Sequence, residues 1–353
     1  MCRAIIIMVG ILLTLFLGEL CALAAVNFTD NLERPAIQGQ LAEKSLYNGV
    51  VSAGERIVGV GRHGNILYSD DKGKTWKQAV VPVSSDLTAV YFPNPKKGWA
   101  VGHDGIVLHS ADGGETWIKQ LDGRVAAQIM LDFYTEHPPE DLPGGFMNEI
   151  ERFVQEGPVV PFLDVWFENE STGYIVGAFN LIFRTTDGGR NWEPWYDRTE
   201  NPMRLHMYSI RPAGEEIFIA GEQGLFLIFD RKTERFRQVA TPYEGSFFGV
   251  ESSSGAVIVF GMRGNVFRST DKGANWKKIE TEVPVGLTGA TVAEDGRIIL
   301  VSQGGHILLS SDSGISFKRI KTDEPYPATA VTFIDRDTIV IAGFNGFRLT
   351  KLQ

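Results

Sequence analysis

The stretch Ser69-Asp70-Asp71-Lys72-Gly73-Lys74-Thr75-Trp76 decides the fold, because it does not stand alone. Written as Ser-x-Asp-x-Gly-x-x-Trp, it recurs at Ser110–Trp117 and Ser269–Trp276, and with an initial Thr at Thr185–Trp192. A copy ending in Phe spans Ser310–Phe317, and a degenerate one spans Phe229–Phe236. The starts at 69, 110, 185, 229, 269 and 310 lie 41, 75, 44, 40 and 41 residues apart. A period of this size marks stacked supersecondary units. Each copy also shares a lead-in. Eight residues earlier stands Gly61, Gly102, Gly177, Gly221 or Gly261, with Ser302 as the one departure. Five residues earlier stands Gly64, Gly105, Asn180, Gly224, Gly264 or Gly305, and Asn is the non-glycine residue that best tolerates a left-handed turn. The lead-in appears a seventh time as Gly343 and Gly346, and the chain ends at Gln353.

Between these markers run short apolar strands. The second unit reads as Leu87–Phe92, Gly98–Gly102, Gly105–Ser110 and Thr116–Gln120. Four strands in about 41 residues is the pattern of a β-propeller blade. The expected fold is therefore all-β, a single seven-bladed propeller. The seventh unit lacks its fourth strand, so a segment within Val26–Leu41 is expected to complete it and remove the exposed edge. The Ser-x-Asp-x-Gly-x-x-Trp element resembles the Asp-box of BNR-type propellers. Asp71, Asp112, Asp187, Asp271 and Asp312 are expected to be structural, since a single active site cannot use five copies of one residue. No metal, cofactor or catalytic residue is expected.

Composition agrees with this reading. The 39 Gly, 22 Phe and 7 Trp of the 353 residues suit tight turns between aromatic-rich strands. The formal net charge of −9 argues against nucleic acid, whose phosphates need a basic footprint. Residues 1–24 read as a secretory signal: Arg3, an apolar run Ala4–Leu17, and the small-x-small site Ala22-Leu23-Ala24. The run is shorter than the ~20 residues that span a bilayer. Gly18-Glu19-Leu20 makes a poor lipobox before Cys21. Cleavage would leave a periplasmic domain, residues 25–353, without a membrane span, without cysteine and expected to be monomeric.

Strands A to D are lettered outward from the centre, so B–C and D–A connections share one face. The B–C tips are where the units disagree. Arg62-His63, His103-Asp104, Phe179-Asn180, Glu222-Gln223, Met262-Arg263, Gln303-Gly304 and Phe344-Asn345 occupy equivalent places. From this ring, Arg62, His63, His103, Asp104, Phe179, Asn180, Gln223, Arg263, Gln303 and Asn345 are the candidate partner-binding residues, because loops on a rigid scaffold carry recognition. The long interval holds 34 residues more than a 41-residue unit, within Asp122–Pro161, on the same face. Val125, Ile129 and Phe133, then Phe146, Ile150 and Phe153/Val154, repeat at helical spacing and predict two short helices with these residues facing the rim.

The seven units, the paired glycines and the Asp-boxes resemble the photosystem II stability/assembly factor family, and in particular its periplasmic proteobacterial relatives. Gly102–Trp117, Leu121–Arg124, Glu156–Asp164, Ala220–Leu225 and Tyr243–Gly249 carry the resemblance. It implies a non-enzymatic assembly role. The photosynthetic members bind a newly made membrane subunit, using a basic patch on the propeller face. The bacterial relatives are associated with exporters of the resistance-nodulation-division type. At the B–C tips of this acidic chain the arginines are Arg62 and Arg263. The alternative is a secreted glycan-active or glycan-binding propeller of sialidase type. That chemistry needs an arginine triad and a Tyr–Glu nucleophile pair, and no F/Y-R-I-P motif is present.

Overall fold

The computed structural model describes residues 29–140, 144–322 and 324–352. Seven antiparallel sheets surround a central channel, six with four strands and the last with three. The inner strands are Tyr47–Ala53, Leu87–Tyr91, Phe162–Phe167, Met207–Ala213, Phe247–Ser253, Leu287–Val292 and Ala328–Asp335. Each packs against the next, and the seventh against the first, so the ring is closed. The seven-bladed propeller read from the repeats is the observed fold. The expected signal at 1–24 lies outside the described residues.

The second strands explain why this ring holds together. Runs such as Trp99–Val101, Tyr174–Val176 and Ile217–Ala220 are buried on both faces, because each sheet packs between two neighbours. The inner strands must approach each other at the channel. In every blade the register shifts between the first and third residue of the inner strand, and the third is Gly49, Ala89, Ser209, Gly249, Gly289 or Ala330 in six blades. The lead-in glycines serve a similar close approach. A Cβ on Gly61 would lie 2.2 Å from the carbonyl oxygen of Leu46, and that carbonyl accepts the Arg62 N–H.

Closure differs from the expected fourth strand. The seventh sheet keeps three strands, and no strand forms within 29–41; Val26–Phe28 lie outside the described residues. Leu32 and Ala36 are instead buried against blades 1 and 2, where Ala36 N–H donates to Val81 C=O. A 3₁₀ turn, Gln40–Lys44, abuts the last strand, Gly346–Lys351, and Gly346 N–H donates to Ser45 C=O. The seam is packed by a side chain from the last strand. Phe347 stacks on Trp76 of blade 1 at 3.9 Å and 16°, and its ring fills the space where a Cβ on Gly59 would stand. Burial of aromatic surface thus takes over the role expected of strand pairing.

The insertion forms α1 (Gly123–Glu136) and α2 (Phe146–Glu156). Asp122 caps α1 by accepting the N–H groups of Arg124 and Val125. The buried face of α1 is Ala126, Ala127, Met130 and Tyr134, one position on from the expected stripe; Val125 is 49% exposed. The shift follows from Tyr134, whose hydroxyl donates to Asp197 at 2.8 Å in blade 3 and fixes the helix rotation. In α2 Phe146, Ile150 and Phe153 are buried as expected, while Val154 is exposed.

Candidate functional site

In five blades the B–C tip is a two-residue hairpin with both central residues left-handed. In blade 1, His63 (φ 57) and Gly64 (φ 70) form the turn, and Asn65 N–H donates to Arg62 C=O at 3.0 Å. This type I′ geometry matches the right-handed twist of the flanking strands. It recurs at Asp104/Gly105, Phe179/Asn180, Gln223/Gly224 and Arg263/Gly264. The second position must be small or tolerant, since a Cβ on Gly64 would meet Val83 O at 2.1 Å. The first position is exposed in His63, Phe179, Gln223 and Arg263, and half-buried in Asp104. Blade 6, the copy with Ser302 in place of glycine, departs in structure too. There Ser302 Oγ lies 2.9 Å from His306 Nδ1, and Gly305 alone is left-handed.

The structure sorts the predicted partner-binding residues into two groups. Arg62, His63, His103, Phe179, Gln223, Arg263, Gln303 and Asn345 are exposed. Asn180 is not: its side chain is buried, donates to Tyr196 C=O, and accepts from Thr199 and Asn201. It holds the following loop in place and is withdrawn from the recognition surface. Asp104 is half-buried and accepts the Ser85 hydroxyl at 2.6 Å. Arg62 faces Asp86 at 3.8 Å, whereas Arg263 has no ion-pair partner among the described residues.

Three apolar side chains stand out on this face: Phe179, Met262 and Phe344 are 41%, 39% and 61% exposed. Phe179 is held edge-on by His206 at 4.6 Å, and its backbone N–H donates to His206 Nδ1 at 3.0 Å. The aromatic contacts continue inward through Tyr208 to Phe248, which line the mouth of the channel. The helical insertion frames the same side. The Arg152 guanidinium of α2 lies 5.7 Å from the Phe179 ring, and Glu149 pairs with both Arg152 and Arg204. A rigid rim therefore presents one aromatic platform next to cations, which suits recognition of a protein segment.

The Asp-boxes are C–D turns, at the other end of the blades. Asp112 accepts the Ser110 and Thr116 hydroxyls and the N–H groups of Glu115 and Thr116. Asp71, Asp187, Asp271 and Asp312 make equivalent bonds. The Thr75 hydroxyl and N–H hold Asp71 well below the usual carboxylate range; desolvation would raise Asp312, but Ser316 and Ser310 bring it down to about 2. Each of these carboxylates is thus occupied by donors of its own turn. Among the described residues no group of three or more His, Cys, Asp or Glu is placed to hold a metal ion.

One cluster escaped the motif reading. The channel widens into a cavity of about 480 Å³, where Arg211 Nη1 donates to Asp164 at 2.6 Å and Arg211 Nε lies 3.8 Å from Glu251. The signal was in the repeat itself. Aligning inner strands puts Asp164 where six other blades carry Gly, Ala or Ser.

The family model described as Photosynthesis system II assembly factor YCF48 matches residues 28–111, 55–131 and 154–310. The Photosystem II assembly lipoprotein Ycf48 of Synechococcus sp. (strain CC9902) is 28% identical over 124 residues, 34% of this chain and 37% of that protein. The match thus spans little more than a third of that relative's length. Among solved structures, YCF48 bound to D1 peptide superposes with a TM-score of 0.63 at 17% identity, covering 92% of this chain and 99% of that one. YCF48 from Cyanidioschyzon merolae gives 0.62 at 15%, covering 90% and 98%. A streptogramin B lyase gives 0.65 at 12%, covering 92% and 100%; likeness at this identity is one of fold.

Proposed function

Because the chain belongs to the Photosynthesis system II assembly factor YCF48 family, we propose that it is a non-enzymatic scaffold or assembly factor that holds a membrane protein through its B–C/D–A loop face. The observation that supports this most is the contrast at the tips. The turn residues beneath them are dictated by packing, while Phe179, Met262, Phe344, Arg62 and Arg263 are exposed and differ from blade to blade. A relative described as bound to D1 peptide uses the same fold to hold a segment of another protein. The site we infer comprises Arg62, His63, His103, Phe179, Gln223, Arg263, Gln303 and Asn345, with Asp104 at its edge and Arg152 of α2 beside Phe179.

The setting we propose is the periplasm, after removal of residues 1–24, with the chain working as a monomer on a membrane complex. The sequence resemblance points to an exporter of the resistance-nodulation-division type as that complex. Among the described residues no helix is long and apolar enough to cross a membrane. A sialidase-like reading has less support: among the described residues Arg211 is the single arginine lining the central cavity, and Asp164 already occupies it. The test is affinity purification from envelope fractions with the whole protein and a Phe179→Ala/Arg263→Ala variant. The proposal expects one membrane protein enriched by the former and depleted with the latter. Recovery of no specific partner contradicts it.

A further inference from the structure

The channel cluster carries an inference separate from the loop face. The inner strands of blades 3, 4 and 5 contribute Asp164, Arg211 and Glu251 to one cavity of about 480 Å³. Their charges do not balance. Arg211 is engaged by Asp164 at 2.6 Å, and Asp164 also accepts the Ile210 N–H at 2.9 Å. Glu251 faces the same guanidinium only at 3.8 Å and accepts no hydrogen bond among the described residues. Two carboxylates thus share one guanidinium, and Glu251 has the looser hold on it. Tyr91 of blade 2 and Trp166 of blade 3 line the same cavity, so two aromatic side chains and a carboxylate share one recess. Rings and a carboxylate together make a site for a cation. The cluster also breaks the repeat: at the level of Glu251 the other inner strands carry Val51, Tyr91, Trp166, Arg211, Thr291 and Thr332. A feature needed only to build a blade recurs; this one does not.

We propose that the central channel is a binding site for a primary amine, with Glu251 receiving the ammonium group beside Tyr91 and Trp166. The amine comes either from a free aliphatic diamine or from a lysine side chain presented at the channel mouth. Its chemistry is the same in both cases. Desolvation pushes Glu251 up to about 7, against the opposing pull of Arg211, with Asp164 adding to the rise. A bound cation stabilises the ionised form, so the amine binds more tightly on the alkaline side of pH 7 than on the acid side.

Isothermal titration calorimetry of the full protein with cadaverine, and separately with acetyl-Gly-Lys-Gly-amide, tests this. Saturable binding of at least one probe is expected, weakened about tenfold or more in Glu251→Gln. Cadaverine alone points to a free diamine, and the peptide alone to a presented lysine. Binding that Glu251→Gln leaves unchanged, or no binding of either probe at millimolar concentration, overturns the proposal. A carboxyl-carbon NMR titration of the wild-type protein gives a readout that needs no variant. Its Glu251 midpoint falls from about 7 when cadaverine is added, and an unmoved midpoint counts against the site. Phe179→Ala and Arg263→Ala leave this binding unchanged, which separates it from the loop-face reading.

Discussion

At one end of the blades Asp71, Asp112, Asp187, Asp271 and Asp312 each close a turn with their own hydroxyl and N–H donors. At the other end His63, Asp104, Phe179, Gln223 and Arg263 occupy one backbone conformation with five different side chains. Both ends are hairpins built from consecutive left-handed residues. They differ in what the side chain is asked to do. In the Asp-box the side chain completes the turn, so its identity recurs. At the B–C tip the backbone closes the turn, so the side chain is free to vary; those of His63, Phe179, Gln223 and Arg263 are exposed, while Asp104 is tied to Ser85. Repetition marks structure here, and divergence at an equivalent position marks the surface available for function.

Five substitutions would break or sharpen that contrast. The largest effect is expected at the Asp-box end, where the Trp117 ring is buried and its Nε1–H donates to Gly114 C=O. Trp117→Ala should cost about 3–5 kcal/mol in denaturant unfolding while leaving partner capture by the folded fraction intact. Gly64→Ala follows, because a Cβ there meets Val83 O at 2.1 Å in a left-handed turn, and about 1–3 kcal/mol is expected. A loss this size confirms that the second tip position belongs to the scaffold.

Asp112→Ala removes hydrogen bonds to a charged acceptor in one turn and should cost about 1.5–3 kcal/mol, near the low end because the site is mostly exposed. The boxes also set an acid limit. Their carboxylates titrate below the ordinary value, so their stabilisation is complete above that value and is lost as pH falls through the folded one. For Asp312 the window runs from 3.8 down to about 2, and acid unfolding of Asp312→Asn should show less of this dependence. The smallest stability change, within about 0.5 kcal/mol, is expected for Phe179→Ala. That same variant should give the greatest loss of partner recovery. If Phe179→Ala unfolds the protein, or Trp117→Ala alone abolishes partner capture by folded protein, the division between the two ends fails.

Much of this architecture was legible because its physics repeats. The Ser-x-Asp-x-Gly-x-x-Trp turns, the paired lead-in residues and the exceptional Asn180 all report backbone conformations that few residues accept. The parts that were misread are those made once. Closure rests on the Phe347 ring over Trp76, a contact between residues 271 positions apart that no local pattern announces. The face of α1 turns on the hydrogen bond from Tyr134 to Asp197, so Val125 faces out although its spacing suited burial. Asn180 shares its position in the repeat with exposed tip residues, but its amide reaches back to Tyr196. Asp164 carries a readable signal, a break in the small-residue pattern of the inner strands, and Glu251 is the one carboxylate at its own level two residues further along.

The central claim, that the loop face and not the Asp-box face meets a membrane protein, is tested most directly by photo-crosslinking in intact cells. A photoreactive residue is placed at Phe179 or Arg263 on one face, and at Lys74 or Lys272 on the other. The account predicts one membrane protein joined to positions 179 and 263 and absent from positions 74 and 272. The same adduct from both faces, or from the Asp-box face alone, would contradict it.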